Sequence, residues 1–184
     1  AECAAVRLDA RRVLVVGGTT WYRSCDSAIT GSLNTTEILD LEAMRFSAGP
    51  RMLSKRCCCT AVALDAGRVL VAGGIGENYA HHRTTEILDV ATMTFAPGPE
   101  MLSGRRGCSA VALENPRRAL IVGGRGSSAN LNTTEVLHLD TMTFSRGPTM
   151  RTARFGCAVV LMGGDSRWRC LVIGGSDEDE TNVN

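Results

Sequence analysis

Cysteine is the residue type most able to do chemistry in this chain of 184 residues, which contains 8 of them. Three are contiguous, at Cys57, Cys58 and Cys59. Zinc sites usually take paired Cys or His ligands about two to four residues apart. Three adjacent thiols on an extended strand are too cramped to chelate one ion, so the sequence predicts no metal here.

Four cysteines occupy one position of an internal repeat: Cys3, Cys59, Cys108 and Cys157. Thiols at equivalent positions of neighbouring repeats should lie beyond the roughly 7 Å Cα separation that a disulfide tolerates. A small apolar side chain suits a position where inner strands crowd together. We therefore expect free and largely buried thiols.

Carboxylates also recur once per repeat, in the motif Thr-Thr-Glu, at Glu37, Glu86 and Glu135. Each alternates in phase with an apolar residue, which places it on a face that should be buried, where a charge needs a partner. Arginines recur at the same end of each repeat, at Arg56, Arg105 and Arg154. The pattern favours one structural Arg–Glu pair per repeat over catalytic carboxylates.

Histidine offers the remaining candidate ligands, as His81 and His82 on a loop that also carries Tyr79. Two adjacent loop histidines are usually solvated, and the chain contains only 3 His and 2 Tyr. No Ser-His-Asp order, phosphate-cradling loop or HExxH motif is present. The sequence therefore predicts neither a catalytic site nor a bound cofactor.

The elements that position these residues are four copies of one unit. Each copy has an apolar run that ends in two glycines, at Gly17, Gly73, Gly123 and Gly174. The segments that begin at Thr35, Thr84 and Thr133 are nearly identical and lie 49 residues apart. Each unit divides into four short strands bounded by turn residues, which in the second copy are 59–64, 68–72, 84–90 and 93–96. The run into Gly-Gly is apolar on both faces, as expected of a strand that is buried between sheets. Such units cannot bury both of their faces alone, so we expect them to stack on one another.

The repeat resembles that of the kelch family, with Gly-Gly after the second strand and an aromatic residue in the fourth. The resemblance implies an all-β, kelch-type β-propeller segment of about three and a half four-stranded blades, over 1–50, 51–99, 100–148 and a partial 149–184. Family positions usually held by Tyr and Trp carry Leu and Phe, which suggests a co-adapted core: Leu39, Leu88, Leu137, Phe46, Phe95 and Phe144. The incomplete last blade favours a fragment of a longer ring, and the alternative is a self-contained four-blade ring.

Composition excludes some classes of protein. Lys plus Arg total 20 and Asp plus Glu total 19, a net charge of +1, which argues against a polybasic nucleic-acid binder. Apolar runs fall short of the roughly 18 residues that span a bilayer, so no membrane association is expected. The first methionine is Met44, which indicates a processed chain or a fragment. Abundant unpaired cysteines favour the cytoplasm.

Function on a repeat scaffold usually resides in the loops that vary. The loops from the second to the third strand differ in length, over 19–34, 75–83 and 125–132, and share a face with arginines of the loops that precede each first strand. The resemblance implies a protein-interaction module that binds an acidic peptide or protein there. The predicted contact residues are Arg56, Arg105, Arg106, Arg151, Arg154, His81 and His82. If the repeated arginines Arg56, Arg105 and Arg154 pair with the buried glutamates instead, Arg106 and Arg151 should dominate binding. The alternative is a piece of a kelch-containing oxidase or sugar isomerase whose active site lies elsewhere.

Overall fold

The computed structural model describes residues 2–20, 31–113, 117–163 and 169–177, in which short β-strands joined by turns and loops are the main secondary structure. One 3-10 turn, Glu77–Tyr79, is the only helical element of these residues. The fourteen strands are β1 (Ala4–Arg7), β2 (Arg12–Val16), β3 (Thr36–Asp40), β4 (Arg45–Ala48), β5 (Thr60–Asp65), β6 (Arg68–Ala72), β7 (Thr85–Asp89), β8 (Thr94–Pro97), β9 (Ser109–Leu113), β10 (Arg118–Val122), β11 (Thr134–His138), β12 (Thr143–Arg146), β13 (Ala158–Met162) and β14 (Arg169–Ile173). The all-β prediction is confirmed.

Strands pair only with their neighbours in sequence, always antiparallel. They form three four-stranded sheets, β1–β4, β5–β8 and β9–β12, and a two-stranded sheet of β13 and β14. We call the four sheets units 1 to 4; they fall within 1–50, 51–99, 100–148 and 149–184. Among the described residues no helix could span a membrane. Residues 21–30, part of the longest variable loop, and 178–184 lie outside the described residues, as do Cys25 and Trp168.

The hydrophobic core lies between consecutive sheets. In β6 four successive residues, 69–72, have no solvent exposure. Because successive side chains of a strand point to opposite faces, Val69 and Val71 pack in a cluster with Leu14 of unit 1. Leu70 packs in a second cluster with Ile121 of unit 3. The predicted burial of this strand on both faces is therefore confirmed for unit 2.

The aromatic position of the fourth strand does not form a uniform core. Phe95 and Phe144 are partly buried against the two core clusters. Phe46 is 57% exposed. The expectation of an aromatic core residue in every unit is wrong for unit 1, because all of β4 is exposed.

The Gly-Gly pairs do more than end strands, because they let the next unit approach. Gly73 has a φ of +66°, and a Cβ there would lie only 2.3 Å from the backbone oxygen of Arg105. The amide of Gly74 donates a 2.9 Å hydrogen bond to that same oxygen. Equivalent bonds join Gly18 to Arg56 and Gly124 to Arg154. The glycine pairs of units 1, 2 and 3 therefore each join their unit to the following one.

A second set of backbone bonds connects the residues just before the first strands. Cys58 donates to the carbonyl of Glu2, Gly107 to that of Cys58, and Gly156 to that of Gly107, at 2.8 to 2.9 Å. All four residues have positive φ values, between +51° and +76°. First strands of consecutive units also lie against one another. The units are thus hydrogen-bonded in series along this line.

Candidate interaction face

Two buried ion pairs lie between the loop that precedes each first strand and the third strand of the same unit. In unit 2, Arg56 is fully buried and Glu86 is 2% exposed. Their Nη2 and Oε1 atoms are 3.1 Å apart, and Arg56 Nε lies at the same distance. The remaining donors of Arg56 bond the carbonyl oxygens of Gly73 and Thr84 and the hydroxyl of Thr84. This guanidinium therefore has all its donors satisfied within the protein.

Unit 3 repeats the arrangement. Arg105 Nη2 lies 2.7 Å from Glu135 Oε1, and the two side chains are 0% and 2% exposed. The carboxylate also accepts bonds from the backbone amides of Leu102 and Ser103 and from the Ser103 hydroxyl. Arg105 Nε is buried without a hydrogen-bond partner among the described residues. The Glu135 carboxylate thus accepts several hydrogen bonds, whereas one donor of Arg105 has no acceptor among the described residues.

The predicted pairing does not extend to units 1 and 4. Glu37 is exposed on β3, and no described residue forms an ion pair with it. Arg154 donates from Nη1 to the carbonyl of Gly174 and has no carboxylate partner among the described residues. The expectation of one structural pair in every repeat therefore holds geometrically only at Glu86 and Glu135.

Burial changes the set of residues that a partner could contact. Arg56 and Arg105 are 0% exposed, and their charges are already compensated by carboxylates. The prediction that they bind a partner is wrong, because neither guanidinium reaches the surface. Arg106, Arg151 and Arg154 remain at least partly exposed.

Arg106 is the best-positioned cation of this face. Its guanidinium lies 5.2 Å from the centre of the Phe155 ring, which belongs to the next unit. An Arg stacked on an aromatic ring at this distance is held in place by a cation–π interaction. Its Nε atom is buried and has no hydrogen-bond partner in the described part of the chain. Arg106 is therefore fixed in position without a compensating carboxylate.

His81 lies near Arg106, on the loop of the preceding unit. Burial, together with the charges of Arg106 and Arg125, lowers the pKa of His81 below its ordinary value. Its Nε2 atom is buried without a partner among the described residues. Arg125 is held beside Arg106 by two backbone hydrogen bonds, of 3.0 and 2.8 Å. The result is an electropositive cluster with a neutral imidazole, which we call the Arg106 cluster: Arg106, Arg125, His81 and Phe155.

His82 and Arg151 stand apart from this cluster in their contacts. His82 Nε2 lies 3.2 Å from the carbonyl oxygen of Lys55. Burial and the charge of Arg56 lower the pKa of His82. Arg151 is exposed on the loop before the first strand of unit 4. Of the predicted contact residues, the structure therefore brings together Arg106 and His81.

Arg125 and Phe155 were missed by the sequence analysis. Both belong to isolated bridges: Arg106 pairs with Arg125, and Phe155 pairs with Ser176. Phe155 occupies the same repeat position as Arg106 and Cys57, immediately after the repeated arginine. The residue at this position is a thiol, a cation and an aromatic ring in units 2, 3 and 4. This variation within a repeat could have marked the position as functional.

The cysteines among the described residues are all free thiols. Burial raises the pKa of Cys59 and of Cys108 to about 12. Cys3 and Cys170 are exposed, so the expectation of burial is wrong for these two. A hydrogen bond from the Cys58 thiol lowers the pKa of Cys57, and the same bond raises the pKa of Cys58.

Neither a family model nor a curated protein matches this chain.

Proposed function

We propose that this chain is an arc of kelch-type β-propeller blades that serves as a protein-interaction module for an acidic peptide segment. The fold part of the proposal is supported by the Gly-Gly repeat and by consecutive four-stranded antiparallel sheets whose first strands are neighbours. Radial repetition of such sheets is the arrangement of a propeller. The binding part is supported by the Arg106 cluster.

One observation carries the binding proposal: Arg106 is held over Phe155 and has no carboxylate partner among the described residues. Some surface cations of these loops do have such partners, as Lys55 does in Glu77 and Arg83 in Glu100. Arg154 also lacks a carboxylate partner among the described residues, but of these two cations only Arg106 stacks on an aromatic ring there. A guanidinium that is pre-positioned loses little freedom when it binds a carboxylate, and its planar fork suits bidentate contact. An acidic side chain is therefore the natural occupant.

The unpaired buried atoms point the same way. A polar group that is covered by protein and lacks a hydrogen bond costs roughly 1 to 3 kcal/mol. Arg106 Nε and His81 Nε2 are both in this state. A carboxylate that bonds the Arg106 guanidinium from the solvent side, with the stack on Phe155 kept, supplies the charge partner that this cation lacks among the described residues.

The experiment measures fluorescence anisotropy of a labelled Asp/Glu-rich peptide, with a Gln-rich peptide of equal length for comparison. Arg106→Ala should weaken binding of the acidic peptide by roughly 1 to 3 kcal/mol, as expected when a hydrogen bond to a charged group is lost. Arg106→Lys should recover only part of it, because Lys keeps the charge but not the fork. Arg45→Ala, on the exposed strand β4, is the matched control.

Two results would reject the proposed surface. One is equal affinity for the acidic and the Gln-rich peptide, which would remove the role of charge. The other is an equal loss with Arg45→Ala and Arg106→Ala, which would show a diffuse attraction to net positive charge.

A further inference from the structure

The segment just before each first strand differs in chemistry between units although its backbone is the same. In units 2, 3 and 4 this segment contains Cys57-Cys58, Arg106-Gly107 and Phe155-Gly156, each followed by one cysteine before the strand begins. The second residue has a φ of +51°, +58° and +69° respectively. A left-handed conformation favours glycine, and a non-glycine residue there is uncommon outside functional or constrained positions. Cys58 therefore occupies a position at which the other two units have glycine.

This backbone turn brings three potential ligand atoms together. The Sγ atoms of Cys57 and Cys58 and a carboxylate oxygen of Glu2 all lie within 4.8 Å of one another. On a strand, adjacent side chains point to opposite faces, and two neighbouring thiols could not reach one ion. Strand β5 begins only at Thr60, so Cys57 and Cys58 precede it and are not bound by this restriction.

The two cysteines are buried and are held in place by hydrogen bonds. Cys57 is fully buried and Cys58 is 9% exposed. The Ser32 hydroxyl, itself buried, lies 3.6 Å from Cys57 Sγ and donates to it. The amide of Cys58 donates a 2.8 Å bond to the carbonyl of Glu2, which fixes the spacing between the carboxylate-bearing residue and the thiols. Three ligands from two units are thus held by backbone contacts that do not depend on a metal.

We propose that Glu2, Cys57 and Cys58 form a Zn²⁺ site that joins units 1 and 2 at the entrance of their first strands. Two thiolates and a carboxylate form a donor set that Zn²⁺ accepts in tetrahedral geometry, with Zn–S distances of about 2.3 Å. The carboxylate disfavours Cu⁺, which selects soft sulfur ligands, and the thiolates disfavour Mg²⁺ and Ca²⁺. A water molecule or a partner side chain completes the fourth position.

Binding releases protons and leaves the redox state of sulfur unchanged. Each thiol loses one proton as its Zn–S bond forms, and the Glu2 carboxylate supplies an oxygen ligand. The complex of Zn²⁺ with two thiolates and one carboxylate carries a net charge of −1. No oxidant or other reactant is needed.

Cys58→Gly is the decisive variant because it restores the residue that units 3 and 4 have at this position. It removes one ligand and also removes the positive-φ constraint, which offsets part of the cost of losing a buried side chain, so the variant should fold. Glu2→Gln keeps the shape of the side chain and removes the charged donor. Cys170→Ser is the matched control, because Cys170 is an exposed thiol remote in sequence from the cluster.

The measurements are Zn²⁺ titration against a chromophoric chelator in the presence of a phosphine reductant, and Co²⁺ substitution followed by absorption. We expect one equivalent of Zn²⁺ and a thiolate-to-cobalt charge-transfer band for the parent chain and for Cys170→Ser. Cys58→Gly should lose both signals. Since loss of an outer-shell contact alone typically costs 10- to 100-fold in metal affinity, Glu2→Gln should weaken binding by roughly tenfold or more.

A thermal measurement distinguishes the site from weak surface binding. Zn²⁺ should raise the Tm of the parent chain, because a ligand of the native state stabilises it, and should leave the Tm of Cys58→Gly unchanged. Three outcomes would overturn the proposal: no bound Zn²⁺ in the reduced parent chain, full retention of Zn²⁺ by Cys58→Gly, or loss of Zn²⁺ with Cys170→Ser. A Cys57–Cys58 disulfide found by mass spectrometry under reducing conditions would also overturn it.

Discussion

Glu37 and Glu86 occupy the same repeat position in different surroundings, which isolates the contribution of a buried ion pair. Glu86 lies against Arg56 at 2% exposure, whereas Glu37 is exposed and unpaired among the described residues. We therefore compare Glu86→Ala with Glu37→Ala. Both substitutions remove the same atoms from the same strand position, so the difference reports the buried pair.

The structure gives the expected magnitude. Removal of Glu86 leaves the Arg56 charge buried with only its bonds to carbonyl and hydroxyl oxygens. Loss of one partner of a buried pair typically costs about 3 to 5 kcal/mol. The carboxylate also accepts from the amides of Leu53 and Ser54. These two residues are not buried, so water can replace those bonds. Their loss therefore adds little to the cost in free energy of unfolding. Glu37→Ala should change the free energy of unfolding by no more than about 0.5 kcal/mol, as for a surface substitution.

Urea unfolding followed by circular dichroism measures both variants. A loss of about 3 to 5 kcal/mol should appear as a lower midpoint at an unchanged slope for Glu86→Ala. Glu135→Ala, which removes the other buried pair, should behave in the same way. The reasoning is refuted if the Glu86 and Glu37 variants lose equal stability. It is also refuted if the Glu86 variant matches the parent chain, which would mean that the pair does not form in solution.

Three further predictions follow from local geometry. Gly73→Ala should lower the free energy of unfolding by at least about 1 to 3 kcal/mol, because φ is +66° and the new Cβ would meet a carbonyl oxygen at 2.3 Å. Gly67→Ala, whose Cβ meets nothing within 3.8 Å, should not; equal urea midpoints for the two variants would contradict this. In the native protein Cys59 should react with an aromatic disulfide reagent far more slowly than Cys170, because burial raises its pKa to about 12; peptide mapping measures this, and equal labelling rates would contradict it. The lowered pKa of His81 means that the unfolded state binds a proton first as pH falls below about 6.5, so this residue contributes a loss of stability from there down to its folded pKa. His81→Gln should make the urea midpoint less sensitive to pH over that range.

The repeat made the sheets predictable. The apolar run before each Gly-Gly, the turn residues and the spacing of 49 residues located the strands to within one residue in unit 2. The fourth strand begins after Met93, not at it, because Met93 adopts a φ of +53°. The strands could be located in this way because the alternation of side chains along a strand depends only on the local sequence.

The candidate sites were less predictable because they depend on contacts between units. Arg105 and Arg106 are adjacent in sequence, yet one is fully buried against a carboxylate and the other stacks on Phe155 of the following unit. The sequence gives the residue types but not which of two neighbours points inward. The turn at Cys58 could not be predicted either, because the residue type cysteine does not indicate a left-handed backbone conformation.

One repeat position accounts for both proposed sites. The arginine before it is repeated, and at Arg56 and Arg105 it is committed to a buried pair. The next residue takes no part in that pair and is Cys57, Arg106 or Phe155 in units 2, 3 and 4. Because the backbone of this segment is fixed by hydrogen bonds between units, the residue at this position can change without altering the sheet pairing. In unit 2 it supplies a thiol beside Glu2, and in units 3 and 4 it supplies a cation and the ring that positions it. Different binding chemistry at each unit is therefore compatible with one repeated framework.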